Sequence, residues 1–164
     1  MSCDAVAFSA MLWMASFNPG QAAAPAPAVL QQPAAPPSVA GEPLFKDIVK
    51  RASQLRAWVD SYRAAADSPP PTAPPRAFKD FDRFSKQIGE LAALDMKGHL
   101  TLKERGATDD LKCILRGISQ DLPEKLTAMS AAKTAKEQDL ALRDMSYLLN
   151  DNVEVITAPP QPAA

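Results

Sequence analysis

The sequence offers few groups that perform chemistry. It holds a single histidine, His99, and two cysteines, Cys3 and Cys113, in 164 residues. Structural zinc usually takes four Cys or His ligands, so this composition argues against it. Two cysteines cannot build a disulfide framework, and cleavage of the N-terminus would leave Cys113 alone. There is no Gly-rich phosphate loop. Charge of one sign is also missing: 19 acidic residues face 18 basic ones, with no long run of either. A nucleic-acid partner needs a concentrated basic face to displace counterions from phosphates, so nucleic acid is set aside. The apolar run Ala5–Phe17 counts 13 residues, short of the roughly 20 that span a bilayer as a helix.

Proline is what the chain has in excess. Six of its 16 prolines fall before residue 40, five between Pro69 and Pro75, and three after Ala158. A helix interior excludes proline at a cost of roughly 3 kcal/mol, so helices must lie between these clusters. The first 40 residues carry one charge, Asp4. Their apolar run suits the core of a signal peptide, with small residues near Ala22 or Ala28 for cleavage. No Lys or Arg precedes the run, which departs from that pattern. The expected organisation is a signal peptide over 1–22, a Pro/Ala-rich tether of polyproline character over 23–41, a folded region over 42–157 and a tail over 158–164.

Within the folded region the period is helical. Phe45, Ile48, Ala52, Leu55, Val59, Tyr62 and Ala66 recur at spacings of three and four, the pattern of one apolar stripe. A second stripe runs through Phe78, Phe81, Ser85, Ile88, Ala92, Asp95, His99 and Leu102, flanked by Phe84 and Leu91, and Gly106 stops it. The third follows Leu111, Ile114, Leu115, Ile118, Leu122, Leu126 and Met129, with Thr108 or Asp109 as cap and a kink or restart at Pro123. The fourth opens on the capping box Thr134–Glu137 and carries Gln138, Ala141, Leu142, Met145, Leu148, Leu149, Asn152 and Ile156. These stripes predict helices over about 43–67, 76–104, 108–130 and 134–156. Short connections make neighbours antiparallel. The fold expected is therefore all-α, an up-down-up-down four-helix bundle.

Two features stand out against the apolar stripes. Asp95 and His99, one turn apart and within about 40° on the wheel, place an ionisable pair in the seam. Burying them costs several kcal/mol unless they are satisfied. Their layer should include Phe45, Ile48, Ile114, Leu115 and Asn152, and Asn152 is the polar residue that completes the set. Such a layer fixes helix register, as a buried Asn does in coiled coils, or lies near enough the bundle mouth to be wet, or forms a ligand site in which Asp95 orients His99 toward a metal or haem iron. An exported bundle of this size is similar to the four-helix cytochromes. Yet Cys-x-x-Cys-His is absent, no His lies near the end of the fourth helix, and the Glu-x-x-His of di-iron bundles does not occur.

The second feature is Cys113, which shares a height with His99 but points outward or sideways from its helix. A Cys–His nucleophile needs hydrogen-bond reach and an orienting third group. An outward thiol in an oxidising compartment is instead either an inert residue or an intermolecular disulfide site, whose sharp form is a Cys113–Cys113 homodimer. Gly117 faces the same side and leaves room for an approaching partner. Trp58 borders the first stripe, while Leu140 and Tyr147 lie opposite the fourth. Together these point to a non-enzymatic interaction or accessory module of the cell envelope, periplasmic or secreted, with an unidentified protein partner and no cofactor. The reading set against it is a ligand-binding bundle using Asp95 and His99. A cytoplasmic adaptor is the alternative should the N-terminus stay uncleaved.

Overall fold

A computed structural model of the chain describes residues 38–65, 69–107 and 110–158. The expected signal peptide, most of the tether and the tail beyond residue 158 lie outside that set. The described residues form four helices and no strand: α1 (Pro43–Ala64), α2 (Phe81–Glu104), α3 (Leu111–Ala131) and α4 (Ala135–Thr157). Each packs on its neighbours in sequence, and α4 closes the ring on α1. That leaves α1 with α3, and α2 with α4, as the two diagonals.

Contacts between neighbours run in opposite chain directions. Along α1, Ile48, Arg51 and Trp58 meet Gly98, Glu90 and Phe84 of α2. Further along the same helix, Arg56, Asp60 and Arg63 meet Asn150, Ser146 and Asp139 of α4. The core holds the expected stripes: Phe45, Ile48, Ile88, Leu115, Leu122, Met145 and Leu149 are fully buried. Burial of each such side chain contributes roughly 1.5–3 kcal/mol. Phe84 and Leu91, placed at the flanks by the heptad reading, are also fully buried. The stripe of α2 is therefore centred nearer Phe84, Leu91 and Asp95. Gly98 is a close-approach point, since a Cβ there would stand 3.1 Å from Leu115 Cδ1.

The helix ends have local causes. Pro43 starts α1 at a position where its missing N–H costs nothing. Gly106, at φ 66°, ends α2: its N–H bonds Lys103 O, and Ala107 N–H bonds Leu102 O, the Schellman arrangement. Pro123 neither breaks nor restarts α3, which runs through it with the ring on the exposed side. The α3 caps expected at Thr108 or Asp109 lie outside the described residues.

The largest departure from expectation is the start of α2, at Phe81 instead of about residue 76. Arg76 is held outside the helix by a distant side chain. Gln138 of α4 accepts from Arg76 N–H at 2.9 Å and donates to Arg76 O at 2.6 Å. Tyr62 Oη also donates to that carbonyl, and the Arg76 guanidinium returns to Tyr62 O. These bonds commit the backbone groups that a helix would need. The linker then caps α4, because Ala73 O and Pro71 O accept from Ala135 and Lys136 N–H. Thr134 Oγ1 takes Glu137 N–H as the capping box requires, while Glu137 Oε2 reaches Lys133 N–H. The orphan donors of the first turn are thus satisfied by the linker and the cap together.

Candidate functional site

Asp95 and Asn152 meet in the core of the bundle. Both side chains are fully buried, at 0% exposure, and Asn152 Nδ2 donates to Asp95 Oδ2 at 2.9 Å. The bond crosses the bundle diagonally, from α2 to α4. Gly98, one turn beyond Asp95, lies against Phe45, Ile48 and Leu115, so the surroundings are the apolar ones expected. Two atoms remain without partners: Asp95 Oδ1 and Asn152 Oδ1. Burial pushes the Asp95 carboxyl up to about 8, against the opposing pull of the Asn152 hydrogen bond. Desolvation disfavours the charged form, and one amide donor does not restore what water supplied.

His99 is not bound to Asp95. Its Nδ1–H donates to the carbonyl of Lys112 at 2.5 Å, which ties α2 to α3. The sequence-based picture of Asp95 orienting His99 is therefore corrected: Asn152 is the carboxyl's partner, and a backbone carbonyl orients the imidazole. The reason is geometric, because the α3 backbone passes within reach on the side of His99. Lys112 itself escaped the sequence reading. It is buried, and its ammonium turns back to the carbonyl of Ala107 behind the α2 cap. A lysine beside an apolar stripe signals only a solvated edge. No local pattern shows that a helix terminus will offer it an acceptor.

Of the surface residues singled out, the structure brings together two. Leu140 and Tyr147 are exposed, at 38% and 62%, and stand two turns apart on the outward face of α4. The pair Arg143–Asp144 lies between them. Trp58 sits elsewhere and is half-buried. Its ring stacks on Phe78 at 6.2 Å, meets Phe84 edge-on at 5.6 Å, and carries Arg83 over its face. Cys113 is half-buried and disulfide-bonded, which corrects its reading as a free exposed thiol. The other cysteine of the sequence, Cys3, lies outside the described residues.

A groove of about 380 Å³ runs between α3 and α4. Ile114, Ile118, Leu148 and Val155 form its apolar walls, and Gly117 leaves open space where a side chain would otherwise stand. Asp121, Asp151 and Glu154 line it with negative charge. Among the described residues, no ion pair neutralises any of these three. Tyr147, exposed, stands one helical turn before Asp151 and is not among the residues that line the groove. The sequence signal was Gly117 alone, read as a point of approach; the acids come from two helices and could not be grouped in advance. Neither this groove nor the two smaller ones described, at Asp47–Gln87 and at Pro75–Leu142, is lined by Asp95 or His99.

No helix among the described residues is long and apolar enough to cross a membrane. Within the same residues, no group of three or more His, Cys, Asp or Glu side chains is placed to hold a metal ion. No family model, curated protein or solved structure matches the chain.

Proposed function

We propose that this chain is a non-enzymatic interaction module, exported to the cell envelope, that receives a cationic amphipathic segment of a protein partner in the α3–α4 groove. The observation that carries the reading is the composition of that groove, apolar walls under three unpaired carboxylates. Charge complementarity of this kind selects a basic partner and speeds its approach. Apolar side chains of the partner fill the space at Gly117, and Tyr147, one turn before Asp151, is the aromatic contact beside the groove. Export is supported by the apolar run Ala5–Phe17 before a Pro/Ala-rich spacer, the order of a signal peptide and a tether.

Two measurements test this. Isotope-labelled full-length protein is titrated with a synthetic Lys/Leu amphipathic helix, and separately with its Glu/Leu counterpart. The expected result is salt-sensitive shifts confined to residues 114–121 and 147–155 with the basic peptide only, lost in Asp121→Asn/Asp151→Asn/Glu154→Gln. Equal response to the acidic peptide, or shifts located elsewhere, would sink the groove reading. For the compartment, non-reducing intact mass is taken on protein expressed with its own N-terminus. Recovery from the periplasm at a mass shortened by the signal peptide supports export, and a full-length cytoplasmic chain overturns it.

A further inference from the structure

The two unpartnered atoms in the core belong to two groups already joined by a hydrogen bond. Asn152 Nδ2 donates to one oxygen of Asp95, while Asp95 Oδ1 and Asn152 Oδ1 are both buried and unbonded. Written as a carboxylate facing an amide, the pair has two acceptors left over and no donor for either. A buried acceptor without a donor is costly, and a buried unpaired charge is more so. One proton removes both defects. Placed on Asp95 Oδ1, it turns the carboxyl into a donor toward Asn152 Oδ1. The acid and the amide then close a ring of two hydrogen bonds, each group giving one and taking one.

We propose that Asp95 is held as the neutral acid and forms this closed acid–amide pair with Asn152, a proton-dependent clasp across the α2–α4 diagonal. The clasp is independent of the docking function proposed above. Its surroundings supply no competing charge at the orphaned oxygens. From α1, the residues at this height are Phe45 and Ile48, and the charged Asp47 and Arg51 pair with each other at the surface. From α3, Lys112 approaches, but its ammonium is committed to Ala107 O. On α2 itself, His99 donates to the Lys112 carbonyl. On α4, Asp151 and Glu154 lie on the exposed side. The perturbation of Asp95 accordingly comes first from burial and second from Asn152, with no cation among its causes.

The sign of the pH dependence follows. The folded protein holds its proton up to about pH 8, whereas an unfolded Asp releases it near pH 3.9. Between those values the folded state binds the extra proton, so raising the pH favours unfolding. The clasp contributes fully below the unfolded value, weakens through the interval and is lost as pH rises through the folded value. Alkali loosens this bundle.

The test compares full-length wild type with Asp95→Asn. An asparagine at 95 reproduces the ring without a titrating proton, as an amide–amide pair. The wild-type unfolding constant should rise by up to tenfold per pH unit across the interval relative to Asp95→Asn, with the variant folded throughout. The Asp95 ¹³Cγ resonance, identified by its absence from the variant, should titrate well above the ordinary carboxylate range in native protein. That second measurement uses wild type alone and stands even if the variant fails to fold. A resonance titrating near the ordinary Asp value, or equal pH slopes for the two proteins, overturns the proposal. In that case Asp95 is an ionised group whose oxygens are hydrated.

Discussion

At one end of the bundle Trp58, Tyr62, Phe78, Phe81 and Phe84 pack with ring centroids 4.6–6.2 Å apart. The linker is strapped over that end by Arg76 and Gln138. At the other end the core holds Asp95, His99, Lys112 and Asn152. The aromatic end is held by apolar burial, by backbone groups whose donors and acceptors match, and by the Arg76 and Arg83 guanidiniums, which keep their charge throughout the pH range. The polar end is complete only when a proton is present. The same four helices therefore present one end whose cohesion is indifferent to pH and one whose cohesion is conditional.

The largest expected effect comes from breaking the indifferent end. Phe84→Ala removes a fully buried ring and should cost about 3–5 kcal/mol in urea denaturation, by the same amount at pH 6 and pH 9. Next is Asn152→Leu, which leaves the Asp95 acid without its partner. It should cost about 1–3 kcal/mol at pH 6. That cost should shrink by pH 9, where the wild-type pair has already lost the proton that closes it. Equal costs and unchanged pH profiles for the two variants would erase the contrast between the ends. A smaller effect, about 1 kcal/mol, is expected for Gln138→Ala, which frees Arg76 from its bracket. Amide exchange should then quicken at Arg76 and in the first turn of α4 while Asp95 titrates as before. Gly117→Ala should stabilise α3 by roughly 0.5–1 kcal/mol, since nothing stands within 4 Å of the added methyl. It should also weaken binding of the basic peptide by filling the groove.

Much of this was legible in the sequence, and the gaps have physical reasons. The proline clusters bounded the helices because proline acts locally, and the stripes identified most of the core because burial follows helical period. Asn152 was found as the third member of the polar layer by counting residues outward from the turns. What was not legible depended on distant groups competing for nearby ones. Arg76–Asp80 reads as helix until Gln138, 62 residues later, takes both backbone groups of Arg76. His99 reads as the partner of Asp95 until the Lys112 carbonyl proves nearer. Phe84 and Leu91 were placed at the flanks because a 3.5-residue repeat drifts against a 3.6-residue helix over seven turns. The three groove carboxylates come from two helices and share no sequence window.

The capping of α4 by Pro71 and Ala73 carries a consequence for how the chain divides. A bundle of four helices invites description as two hairpins, each able to exist before they meet. Here the first turn of α4 is finished by carbonyls that belong to the other hairpin, and Gln138 returns the service to Arg76. Cutting the chain between residues 107 and 110 would therefore produce two fragments that are each unfinished. The second lacks the acceptors of the first turn of α4 and the first lacks the side chain that holds Arg76, and they should recover structure by complementation only when mixed. The folding unit is the whole ring.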